Sequence, residues 1–127
     1  MTKAVLFFFL LTLSTLVAAQ SVRTLSVADF SQSMAAASQK TILDVRTPAE
    51  YQSGHLPGAI NLDVRSDAFR KQAALLPSGN AVYVYCLSGV RSQSASGILQ
   101  TLGFKQIFNL QGGIRAWSQA GKPIETK

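Results

Sequence analysis

The chain has 127 residues, 12 Lys and Arg against 6 Asp and Glu, a formal net charge of +6, one cysteine and one histidine. That length accommodates one domain, while a single cysteine and a single histidine exclude a disulfide framework and supply too few soft ligands for a structural metal site. The basic residues are scattered, with no run longer than Arg70-Lys71, which argues against a nucleic-acid face.

In chain order, Lys3 precedes an unbroken apolar run from Ala4 to Leu11 that continues with small interruptions to Val17. Val17 and Ala19 are the small residues a signal peptidase selects three and one positions before its cut, so residues 1–19 read as a cleaved export signal and 20–127 as the mature domain. No cysteine lies near the cut to carry a lipid anchor. The alternative is an uncleaved membrane anchor, but the apolar core is short for a span and lacks flanking charge on its far side. Loss of Lys3 takes the net charge from +6 to +5. Export places the domain in the periplasm, with secretion or anchoring through an uncleaved N-terminus as alternatives. After cleavage no stable membrane association is expected, and nothing in the chain demands more than a monomer.

The mature chain alternates strands and helices. Thr24 to Ser26 reads as a short strand, with Ser26 positioned to cap a helix over 28–37 on which Val27, Phe30, Met34 and Ala37 share a face. Thr41 to Val45 is a central-type strand. Thr47-Pro48-Ala49-Glu50 then has the form of a helix start, with Thr47 as N-cap, proline at the first helical position and glutamate at N3. Gly54 ends that helix, His55-Leu56-Pro57-Gly58 is a turn, and Ala59 to Leu62 a brief strand. An amphipathic helix is expected over 66–76, stopped by Pro77. Ala81 to Tyr85 is a buried strand, 92–102 a helix closed by Gly103, Gln106 to Leu110 a last strand, and 114–120 a last helix beyond Gly112-Gly113. The expected fold class is therefore α/β, with a mostly parallel central sheet and helices on both faces. Ligands of such sheets bind at the carboxyl ends of strands.

Cys86 stands at that end of the 81–85 strand and opens the run Cys86-Leu87-Ser88-Gly89-Val90-Arg91-Ser92. An unpaired cysteine in an exported chain is either a packing residue or a reagent, and this position favours the reagent. The thiolate is the nucleophile, and positive potential lowers its cost. Here that potential comes from the N–H groups of 87–92, the N-terminus of the next helix and Arg91, whose guanidinium can hold an oxyanion. The six residues from Cys86 to Arg91 suffice to curl around one tetrahedral anion or a terminal sulfur.

Three segments together resemble a single-domain rhodanese, a thiosulfate sulfurtransferase, and the resemblance spans essentially the whole mature domain. They are Asp44 to Asn61, the loop Cys86 to Ser92, and Gly112-Gly113-Ile114-Arg115-Ala116-Trp117. The resemblance implies a double displacement in which Cys86 takes the outer sulfur of thiosulfate as a persulfide and passes it to a thiophilic acceptor, cyanide or a thiol. It also implies that the backbone of Leu87, Ser88, Gly89, Val90 and Arg91 forms the cradle, with Gly89 allowing close approach. Ser92 is read as a helix cap, with a hydroxyl donated to the site as the alternative. Asp44 and Arg46 are read as scaffold that can support the loop, His55 as structural, and Tyr51 and Trp117 as packing aromatics. No Walker or dinucleotide pattern occurs, so no cofactor is expected.

The competing activities are a cysteine phosphatase, a low-turnover persulfide carrier that delivers sulfur to a protein, and a redox-sensing thiol. Phosphatases of related fold resemble this chain but carry a loop one residue longer and a histidine where Tyr85 stands. No resolving cysteine supports redox sensing.

Overall fold

The computed structural model describes residues 2–12 and 21–126. Residues 2–12 form neither helix nor strand, and every side chain from Val5 to Leu11 is at least 75 % exposed. The rest of the expected export signal, including the cut after Ala19, lies outside the described residues. Among the described residues no helix is long and apolar enough to cross a membrane.

Five strands form one parallel sheet: β1 (Ser21–Leu25), β2 (Lys40–Asp44), β3 (Ile60–Asn61), β4 (Ala81–Tyr85) and β5 (Gln106–Leu110), in the order β1-β5-β4-β2-β3. Five helices connect and cover them: α1 (Val27–Ala36), α2 (Pro48–Ser53), α3 (Phe69–Ala73), α4 (Val90–Thr101) and α5 (Gly113–Gln119). The central strand β4 is buried along its whole length. Its period-two alternation divides the core. Val82, Val84 and Cys86 face the helices α3 and α4, where Phe69, Ala73, Ala95 and Leu99 close a first apolar cluster. Ala81, Tyr83 and Tyr85 face the other way, against Phe30 of α1 and Ile114 and Trp117 of α5. Phe30 meets Tyr83 and Trp117 edge-on, at ring separations of 5.4 and 6.4 Å. Helices on both faces of a parallel sheet are therefore what the chain builds, as its alternating pattern requires.

Local signals hold where a side chain enforces them. Ser26 accepts the Asp29 N–H and starts α1. Thr47 and Glu50 form a complete capping box around Pro48 at the start of α2. Three expectations need correction. The first strand begins at Ser21 rather than Thr24, because β5 offers a full parallel partner from Gln106 to Leu110. The helix expected over 66–76 is only Phe69–Ala73. Upstream, the Phe69 N–H bonds back to Ser66 and that of Ala68 to the Ser66 hydroxyl, while downstream Leu75 and Leu76 close tight turns onto Gln72 and Ala73 before Pro77. The helix after the cysteine begins at Val90, two residues earlier than expected, directly behind Gly89.

Sheet order explains where a ligand can sit. From β2 the chain leaves toward the β3 edge, and from the adjacent β4 it leaves toward β5. Their carboxyl ends consequently flank the point where the winding direction reverses, the place where such sheets open a crevice. Cys86 follows β4 at that point.

Candidate active site

The chain from Cys86 to Gly89 turns tightly around its own first side chain. The Gly89 N–H donates to Cys86 Sγ at 3.0 Å, and the Ser92 hydroxyl lies 3.4 Å from the same sulfur. Gly89 has φ +108°, a conformation that side-chain-bearing residues rarely adopt. The loop is braced from behind by the turn into α5, since Cys86 and Leu87 carbonyls accept the N–H groups of Ile114 (2.9 Å) and Arg115 (3.1 Å). Because each peptide is planar and trans, carbonyls tied toward α5 turn the Leu87 and Ser88 N–H groups the opposite way, and that of Ser88 acts on the Cys86 sulfur. The brace needs a glycine. A Cβ on Gly113, where φ is +59°, would stand 2.4 Å from the Leu87 oxygen and 2.5 Å from that of Cys86.

Cys86 is 1 % exposed, so its thiol lies at the floor of the cradle. Burial on its own disfavours the thiolate. The Ser92 hydroxyl and the N–H groups of Ser92, Gly89 and Ser88 outweigh burial, and the thiol pKa falls below that of an ordinary cysteine. Among the residues expected at the site, Leu87, Ser88 and Val90 form an exposed rim, Gly89 and Ser92 touch the sulfur, and Arg91 stands at the side. The reading of Ser92 as helix cap is corrected: Gly89 occupies the N-cap position, and Ser92 sits buried in the first turn. Its single hydroxyl proton has two acceptors within reach, Cys86 Sγ and the Gly89 carbonyl at 3.1 Å. Ionisation of the thiol turns that proton toward sulfur.

Arg91 is not a free cation. Its two terminal nitrogens grip both oxygens of Glu50 at 2.7 and 2.9 Å, a planar fork that also holds the Glu50 pKa down to about 2 and raises that of Arg91. In the sequence Glu50 stands out as the N3 residue of a helix start and as part of the Asp44 to Asn61 segment, and neither signals this contact. The signal that finds it is strand register: Asp44 pairs with Tyr85, and Glu50 and Arg91 each lie six residues beyond those partners.

Asp44 and Arg46 do meet each other, as a buried scaffold. Arg46 Nη2 binds Asp44 Oδ2 at 2.6 Å and the Gly54 carbonyl at 2.6 Å. Burial weakens the Arg46 charge, but the Asp44 carboxylate more than restores it, and the guanidinium pKa is raised. The Tyr85 hydroxyl donates to Asp44 Oδ2 at 2.8 Å and accepts the Leu56 N–H at 3.1 Å. Burial first, and then the Asp44 charge, raise the Tyr85 pKa, so this phenol stays a neutral donor. The network locks the residue immediately before Cys86 to β2 and to the turn at 54–56. It touches no atom of the 87–91 loop among the hydrogen bonds of the described residues. His55 is buried, stacks on Tyr51 at 3.9 Å and has Nδ1 2.9 Å from the Tyr51 carbonyl, a packing placement. Among the described residues no cluster of three metal-ligating side chains occurs.

The sheet and its site stand in a chain that is similar to known proteins over most of its described residues. Residues 26–120 match the rhodanese-like domain. The chain belongs to the rhodanese-like family. A sulfurtransferase of Allochromatium vinosum is 37 % identical over 94 residues, covering 74 % of this chain and 86 % of its own. The thiosulfate sulfurtransferase GlpE of Vibrio cholerae is 34 % identical over 95 residues, covering 74 % and 87 %. The crystal structure of a rhodanese-related protein from Thermoplasma volcanium superposes with a TM-score of 0.72 at 30 % identity, over 83 % of this chain and 99 % of that one. This rhodanese-like domain thus has sulfurtransferase relatives over most of their length. Its fold is theirs.

Proposed function

We propose that the protein is a sulfurtransferase that carries sulfane sulfur on Cys86, with thiosulfate as donor and cyanide or a small thiol as acceptor. One observation carries the reading: a single buried sulfur receives the Gly89 N–H at 3.0 Å and the Ser92 hydroxyl at 3.4 Å, and its pKa is lowered by them against burial. In the first step the Cys86 thiolate attacks the outer sulfur of thiosulfate. The S–S bond of the donor breaks, sulfite departs with its electron pair, and a Cys86 persulfide anion remains. The new sulfur extends about 2 Å from Sγ, into the space faced by the N–H groups that stabilise its charge. In the second step cyanide attacks that outer sulfur, thiocyanate leaves, and the bond electrons return to Sγ as thiolate. Residues 20–127 make up the working domain, and the protein acts in the periplasm after loss of residues 1–19, as a monomer and without a cofactor.

The test is turnover. The protein mixed with thiosulfate and cyanide releases sulfite and thiocyanate in equal amounts, and Cys86→Ala releases neither. Stoichiometric loading followed by negligible turnover assigns it instead as a sulfur carrier. Aryl phosphate hydrolysis that depends on Cys86 would reverse the choice of sulfur over phosphate.

A further inference from the structure

We propose that Glu50 is a positioning residue that sets donor specificity: by clamping and neutralising Arg91 it weakens the site's hold on doubly charged thiosulfate relative to sulfur donors of lower charge. The inference rests on Cys86 being the sulfur-accepting thiolate.

The geometry is specific. Thr47 donates to Glu50 Oε1 from its N–H at 3.3 Å and from its hydroxyl at 3.1 Å, so the carboxylate is fixed by α2 before it meets Arg91. Both carboxylate oxygens then engage the guanidinium. The Arg91 side chain is 16 % exposed and that of Glu50 30 %, so the pair stands at the edge of the cradle, partly shielded from water. Cys86 and Asp63 also act electrostatically on Arg91. The Arg91–Glu50 pair carries no net charge, so Arg91 does not supply the positive charge expected of a thiosulfate cradle. The N–H groups remain to stabilise the transferring sulfur, but Arg91 does not meet the sulfonate end of the donor as an unpaired cation.

A charge effect scales with the charge of the substrate, and this separates it from a loss of structure. Two unit charges about 10 Å apart in a near-aqueous medium couple weakly, and for a dianion the effect of removing one carboxylate charge is about fourfold in affinity at low ionic strength. For a monoanion the same change is about twofold, its square root. Glu50→Gln suits the test because glutamine also completes a capping box, so α2 keeps its start while the charge goes.

The experiment compares the wild-type protein with Glu50→Gln at low and high salt. Expected are a thiosulfate KM lowered about fourfold in Glu50→Gln with kcat nearly unchanged, a KM lowered about twofold for an alkyl persulfide monoanion, and loss of both differences at high salt. An unchanged or raised thiosulfate KM, or equal effects on the two donors, overturns the inference. A second measurement does not depend on sulfur transfer: alkylation of Cys86 by iodoacetate, an anion, relative to neutral iodoacetamide. That ratio rises about twofold in Glu50→Gln; a constant ratio overturns the role of Glu50. A wild-type protein that fails to load sulfur, yet shows the shifted ratio in the variant, overturns the proposed function and leaves the electrostatic role of Glu50 standing.

Discussion

Replacing Ser92 with alanine tests how the cradle creates a thiolate. The hydroxyl is 3.4 Å from Cys86 Sγ and is, after burial, the largest influence on that thiol's ionisation. A hydrogen bond to a charged group contributes about 1.5–3 kcal/mol. This one is long and shares its proton with the Gly89 carbonyl, so about 1–1.5 kcal/mol, or roughly one pKa unit, is the reasonable loss. The sign follows from the acid. With its anion less stabilised, the Cys86 pKa in Ser92→Ala rises, and every thiolate-dependent rate reaches its plateau at higher pH. The assay is the rate of iodoacetamide alkylation against pH for the two proteins. The wild-type midpoint falls below the ordinary thiol range and the variant midpoint lies about one pH unit above it. The Gly89 carbonyl keeps the Gln93 N–H at 3.2 Å, so unfolding free energy changes little. An unmoved or lowered midpoint in a folded variant would refute the role given to Ser92.

Gly113→Ala drives a Cβ into the carbonyls of Leu87 and Cys86; sulfur loading, followed by sulfite release, should fall at least about a hundredfold and thermal stability by several degrees. Tyr85→Phe removes the hydroxyl joining Asp44 to the Leu56 N–H, and denaturant titration should show a loss of about 2 kcal/mol, with alkylation of Cys86 still governed by the same cradle. The Glu50 pKa is depressed from its ordinary value to about 2, so its stabilisation is fully present above its unfolded-state pKa and is lost as pH falls toward 2. After allowance for solvent screening it is on the order of 1 kcal/mol. The stability difference between wild type and Glu50→Gln should therefore be constant near neutrality and shrink through that acid window; a difference that persists at the acid end contradicts the pairing.

The fold was legible wherever local chemistry dictated it. Thr47-Pro48-Ala49-Glu50 specifies a helix start by its own hydrogen bonds, and the run Ala81 to Tyr85 can only be a central strand. The short α3 was not legible, because Asp63 and Ser66 accept the N–H groups of Arg65, Ser66, Ala68 and Phe69 in turns that apolar spacing does not reveal. At the site, Cys86 and Gly89 are visible from the loop alone. Ser92 was misread as a cap because the position of the first helical residue depends on Gly89 taking a left-handed conformation, which moves the helix start forward. The Arg91–Glu50 pair depends on the β2–β4 register, a non-local fact, and so a residue read as capping α2 turned out also to hold the loop arginine. Gly113 stands in the sequence only as a residue preceding the last helix; its role as the wall behind the cradle emerges when α5 is packed against Leu87.

The most direct test of the account is the intact mass of the protein after brief exposure to thiosulfate and removal of excess donor. Expected is a gain of one sulfur atom, about 32 Da, located on Cys86, reversed by cyanide and absent in Cys86→Ala. No gain, or a gain that survives Cys86→Ala or resists cyanide, would contradict it.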